Sequence, residues 1–128
     1  MLGDRTVEYV GSSGKDLGKL PNEVQEVFLY AIEMARTGLR HDNVKIMRGF
    51  NGASVLEVVE DYMSDTYRAV YTVRFEKAIY VLHVFKKKSN KGIETPKPDK
   101  DLIIKRLKAA EADYKTNYSG KKDGRGKN

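Results

Sequence analysis

Chemistry in this chain has to proceed without sulfur. There is no cysteine, so a thiol nucleophile, a thiolate metal site and disulfides are excluded, and two widely spaced histidines do not mark a zinc centre. Arg, Lys, His, Tyr, Asp and Glu remain. His83 has the proton affinity for general acid or base work, because an unperturbed imidazole titrates near neutrality. Yet it stands in Ile79-Tyr80-Val81-Leu82-His83-Val84-Phe85, where a histidine is more often a hydrogen-bonded core residue. His41 follows the long helix beside Arg40 and Asp42 and is a weaker candidate. A nucleophile elbow, a phosphate-cradling glycine loop and metal-ligand spacing are all missing, which counts against acyl-transfer and hydrolase chemistry. Neither a metal nor a cofactor is expected.

The other chemical resource is positive charge, and it is unevenly placed. Residues 1–85 carry 10 basic and 12 acidic side chains, whereas residues 86–128 carry 14 basic and 6 acidic. Lys86, Lys87, Lys88 and Lys91 open that basic half. Such asymmetry fits a polyanion partner, since each Lys or Arg near a phosphate displaces condensed counterions. A solvated tail that only improves solubility explains the charge equally well.

The elements that must hold these residues follow from periodicity. Arg5–Val10 reads as a first strand, ended by Gly11-Ser12-Ser13-Gly14, and a single helical turn is expected over 15–20. Pro21 suits the first position of a longer helix, in which Val24, Val27, Phe28, Ala31, Met34 and Ala35 recur at helical spacing and Gly38 supplies a left-handed stop. From residue 54 the period falls to about 2. Strands are expected at Val55–Glu60, Thr66–Arg74 and Ala78–Lys86, linked by turns short enough for an antiparallel meander. The third is apolar on both faces and belongs mid-sheet. Thr95-Pro96 then reads as cap and first turn of a helix burying Ile103, Leu107, Ala110 and Tyr114. The resulting fold class is α+β, in the order β-α-α-β-β-β-α, with helices against one face of an antiparallel sheet. One domain over 1–118 and a flexible basic tail over 119–128 are expected. No run approaches the roughly 18 apolar residues of a membrane span, and the opening residues lack a signal-peptide layout, so a cytoplasmic location is expected.

Three stretches carry a resemblance. They are Val44-Lys45-Ile46-Met47-Arg48-Gly49-Phe50 with Val55–Asp61, then Thr66–Val73, then Tyr80–Ser89 continuing to Thr95-Pro96. A Tyr-Arg strand, a hydrophobic strand ending in Phe-Lys-Lys and a Thr-Pro-capped helix, in that order, resemble the type II toxins of the RelE/HigB superfamily, in the branch of phage-derived proteins. The likeness spans roughly residues 5–114. It implies a microbial-ribonuclease-like domain that cuts messenger RNA on the ribosome without a metal and is silenced by a cognate antitoxin of helix-turn-helix type. In that chemistry the ribose 2′-hydroxyl attacks the adjacent phosphate, and fixed guanidinium groups meet the charge that develops on phosphorus.

Carried onto this chain, the resemblance makes Arg68 the phosphate clamp; the alternative is an arginine exposed on a strand or paired with Glu57 or Glu60 across the sheet. If the following hairpin turns on three residues, Arg68 and Lys86 share a face, and Lys86 meets the scissile region. Lys87, Lys88 and Lys91 then steer phosphates, as do Lys45 and Arg48 in the loop before the second strand. His83 completes the catalytic candidates. Glu57, Glu60 and Asp61 would repel an RNA backbone, so structural pairing with nearby arginines is the preferred reading for them. Many relatives have an arginine where this chain has Val59, which removes one cation from the family's set. Two rivals remain: a ParE-like inhibitor of DNA gyrase on the same scaffold, and a nucleic-acid-binding module that does not cut.

Overall fold

The computed structural model describes residues 4–50, 52, 54–87 and 95–118. The elements are β1 (Thr6–Tyr9), α1 (Ser13–Gly18), α2 (Asn22–Arg36), β2 (Val44–Ile46), β3 (Val55–Tyr62), β4 (Asp65–Thr72), β5 (Ala78–Lys87) and α3 (Lys97–Asn117). The β-α-α-β-β-β-α order holds with one insertion. Val44-Lys45-Ile46, expected as loop, is a strand, too short to show a period and formed by pairing Val44, Lys45 and Ile46 with Val58, Glu57 and Leu56. Both prolines sit one place earlier than expected. Pro21 and Pro96 are extended cap residues, ψ 146° and 149°, and the helices begin after them; Thr95 makes no capping bond. Gly38, at φ 86°, stops α2 as its type predicts.

The sheet runs β1-β5-β4-β3-β2. Its last four members form an antiparallel ladder, while β1 pairs with β5 in parallel, Thr6 against Ala78 to Tyr9 against Val81. This puts β5 inside the sheet, as its two apolar faces require. The expectation that all helices cover one face is corrected here. α1 and α2 bury Leu17, Val24, Phe28, Ala31 and Ile32 against Leu56, Val58, Tyr71, Ile79 and Val81 on one side. On the other side α3 buries Ile103, Leu107 and Ala110 against Val55, Val70, Tyr80 and Leu82. Each fully buried aliphatic or aromatic side chain contributes about 1.5–3 kcal/mol, so neither face of β4 and β5 could be left wet. No helix among the described residues is long and apolar enough to cross a membrane.

One irregularity governs the functional face. The hairpin between β4 and β5 starts in the expected register, Thr72 against Tyr80 and Tyr71 against Val81, but Val70 then pairs with His83 and Arg68 with Phe85. Leu82 is an extra residue, a β-bulge. It reverses the alternation of everything beyond it.

Tyr71 offers a test of the core. Its hydroxyl is buried without a hydrogen-bond partner, and burial pushes its pKa from 10.0 up to about 12, against a weaker opposing pull from Arg40. A phenol ionising later in the folded than in the unfolded chain contributes stability in full below pH 10, and that contribution is lost as pH rises from 10 towards 12. Tyr71→Phe should therefore be neutral or stabilising at pH 7 and should flatten the loss of stability between pH 10 and 12, measured by urea denaturation at each pH. A variant less stable at neutral pH, with an unchanged alkaline limb, would show that the hydroxyl has a partner after all.

Candidate nucleic-acid interface

The bulge decides where the cations lie. With alternation reversed after Leu82, Arg68 shares its face with Phe85 and with Lys87, the partner of Thr66, whereas Lys86 lies opposite Tyr67 on the other face. The expected common wall of Arg68 and Lys86 is therefore absent. Lys86 is 47% exposed and stands 3.6 Å from Asp65, a weak surface pair. Lys87 is buried on the Arg68 side. Lys88 and Lys91, and the tail over 119–128, lie outside the described residues.

Arg68 is only 4% exposed. Its direct register partner is Val59, which offers no hydrogen bond, so the guanidinium reaches diagonally along β3 and Nη1 donates to Glu57 Oε2 at 2.6 Å. Glu57 is 3% exposed, and Arg68 Nε is buried without a partner among the described residues. The exposed position expected for Arg68 is thus corrected to a buried ion pair, whose cost in lost hydration is offset in part by its short, charge-assisted bond. The other two carboxylates are also engaged: Glu60 accepts from Asn43 at 3.0 Å and Asp61 from Thr66 at 2.8 Å.

His83 follows the bland expectation for a histidine in an apolar strand. It is buried, its ring stacks on Phe85 with centroids 4.5 Å apart, and Nε2 lies 2.7 Å from Asp99 Oδ1. That bond ties β5 to the first turn of α3. Nδ1 has no partner. His41 serves its own loop, where Nδ1 accepts the Asn43 N–H at 3.0 Å and the ring meets Tyr30 edge-on.

Exposed cations gather elsewhere, in a cleft of about 760 Å³ lined by Lys45, Ile46, Met47, Arg48, Thr95, Lys97 and Lys100. One wall is β2 and the turn after it. The other is the start of α3. Lys45 and Arg48 were legible in the sequence, but Lys97 and Lys100 were missed. Their signal was electrostatic: lysines in the first turn of a helix oppose its positive N-terminal end, and only Lys97 is compensated on the helix itself, by Asp101 at 3.0 Å. Gly49, at φ 92°, turns the chain beneath Lys100, whose Nζ lies 2.8 Å from where a Cβ would stand. Among the described residues no group of His, Asp and Glu has the makings of a metal site.

Comparison with known proteins places this arrangement in context. The family model described as phage derived protein Gp49-like (DUF891) matches residues 15–108. A mutant of the E. coli toxin RelE, solved in the free state, is similar in structure with a TM-score of 0.54 at 19% identity, over 83% of this chain and 97% of that one. At that identity the likeness is one of fold. No curated protein matches the sequence.

The buried pair makes a sharp prediction. Arg68→Ala or Glu57→Ala alone should cost about 3–5 kcal/mol, because each strands a buried charge, while the double replacement Glu57→Leu/Arg68→Met should cost much less than either. Chemical denaturation of the three variants measures this. Additive losses in the double variant would mean that the two groups do not depend on each other.

Proposed function

The chain belongs to the Gp49-like family of phage-derived proteins, and from that membership and its RelE-like fold we propose that it is the toxin of a type II toxin–antitoxin pair, acting on messenger RNA. The observation that carries the RNA reading is the cleft, where Lys45, Arg48, Lys97 and Lys100 converge. Lys97 is paired with Asp101 at 3.0 Å, while Lys45, Arg48 and Lys100 have no carboxylate partner among the described residues, so they repel one another and gain most from a polyanion. The α3 N-terminus adds partial positive charge in the same place.

In the cutting reaction the ribose 2′-hydroxyl attacks the neighbouring phosphate, and the side chains must align that phosphodiester and meet its growing negative charge. Arg48 is suited to the second task, since a guanidinium can hold two phosphate oxygens together. Arg68 reaches a phosphate only by giving up Glu57, so the resting protein presents the cleft rather than Arg68 to RNA. His83 is the one imidazole beside this end of the sheet, with Asp99 fixing its ring. No metal is required by this scheme. Action on the ribosome, a cytoplasmic location and a helix-turn-helix antitoxin that covers the basic surface belong to the same reading.

The neutralised Arg68 favours a second reading, an RNA-binding module that blocks translation without cutting. Induction in bacteria separates them. Wild type should arrest growth and leave new messenger RNA ends by primer extension, and Lys45→Ala/Arg48→Ala should lower cleavage about a hundredfold. Growth arrest with RNA bound in a salt-sensitive way and left intact supports the second reading. Gyrase-dependent DNA breaks with intact RNA would sink both. Co-expression with the protein of the neighbouring reading frame should restore growth; undiminished toxicity would reject the antitoxin.

A further inference from the structure

α3 is electrically two-sided. At about 100° per residue, positions 97, 100, 104, 108, 111 and 115 follow one flank, and Asp99, Arg106 and Asp113 fall on the other. The second flank is engaged with the sheet. Asp99 bonds His83, Arg106 donates to the Leu82 carbonyl at 2.9 Å, and Asp113 accepts from the Tyr80 hydroxyl at 2.6 Å. These bonds fix the rotation of the helix, so the first flank is held outward.

That outward flank is a row of lysines. Lys97 and Lys100 line the cleft already described, and beyond the exposed Ile104 come Lys108 and Lys115, which border a shallow depression with Glu111, Ala112 and Thr116. Two acids lie along it and both are engaged, Asp101 by Lys97 at 3.0 Å and Glu111 by Arg74. Lys108 and Lys115 are exposed and make no ion pair among the described residues. Glu111 stands three residues after Lys108 and four before Lys115, but its carboxylate is bonded to Arg74, so the charge of both lysines is left facing solvent. With 1.5 Å of rise per residue, the row from Lys97 to Lys115 is about 27 Å long.

We propose that this flank of α3 is a backbone track, on which Lys108 and Lys115 hold the phosphates of a single RNA strand whose continuation lies in the cleft. The proposal rests on the RNA reading above and adds a second contact region, along the helix. Lysines at helical spacing offer charge without base readout, so the track is indifferent to sequence and sensitive to salt. It also makes affinity depend on RNA length, because a short strand fills the cleft alone.

Fluorescence anisotropy with 2′-O-methyl RNA tests this on the full chain, since such RNA has no free 2′-hydroxyl and stays intact. Two oligomers of about four and about twelve nucleotides span the range of compact single-strand sites. For the longer one, Lys108→Gln/Lys115→Gln should make the slope of log affinity against log salt shallower by about 1.4, two contacts at about 0.7 each. Binding of the short one should be unchanged, and circular dichroism should show the fold intact. Wild-type binding of both oligomers with the full slope kept in the variant overturns the track and leaves the cleft reading standing. Failure of wild type to bind either oligomer removes both. A variant that keeps its RNA slope but no longer captures the neighbouring-frame protein assigns the flank to an acidic protein instead, which also overturns the proposal.

Discussion

A strand with one residue more than its neighbour must reverse its alternation, and in β5 the surplus residue is Leu82, opposite the step from Tyr71 to Val70. Before it, Ile79 and Val81 face α1 and α2; after it, Val84 takes that side and His83 and Phe85 take the other. The bulge lets one strand serve both cores and still deliver His83 to Asp99. Without it Arg68 would sit beside Lys86, two cations on one wall. With it, Arg68 lies against Phe85 and the lysines at the strand end are divided between faces.

The same reversal explains the company Arg68 keeps. Flanked by Phe85 on β5 and Val59 on β3, its guanidinium has one carboxylate at salt-bridge distance among the described residues, and that is Glu57. A carboxylate and a guanidinium removed from water hold each other firmly, because either alone would be very costly. The pair therefore works as a fixed point under the sheet end. Mobile charge is left to the periphery, on β2, the turn after it and α3, where long side chains in water can rearrange around a ligand.

Much of the architecture could be read from local pattern. Val24, Phe28, Ala31 and Ala35 repeat as a helix must, Gly38 ends it, and Ile103, Leu107 and Ala110 are the buried stripe of α3. β2 was hidden because three residues carry no period and owe their strand form to β3. The site was less legible, and for one physical reason. Alternation predicts a shared face only while register is unbroken, and nothing in Val81-Leu82-His83 announces an extra residue where all three are compatible with burial. Glu57 and Arg68 could be matched as partners from their strands, but their burial depended on what lay over them. Lys97 and Lys100 were invisible as cleft residues because the opposing wall, at Lys45 and Arg48, is distant in sequence.

The parallel pairing of β1 with β5 ties the two ends of the sheet's history together. Thr6 meets Ala78, so the first strand to leave the ribosome waits for the last one before it has a neighbour. Such non-local closure is slow compared with helix formation. Until α3 has also emerged, Tyr80 and Leu82 lack their cover and the cleft lacks Lys97 and Lys100. A chain without α3 leaves that apolar surface bare, the kind of surface that favours association. The order of synthesis thus completes the cleft only once the last helix has emerged and packed.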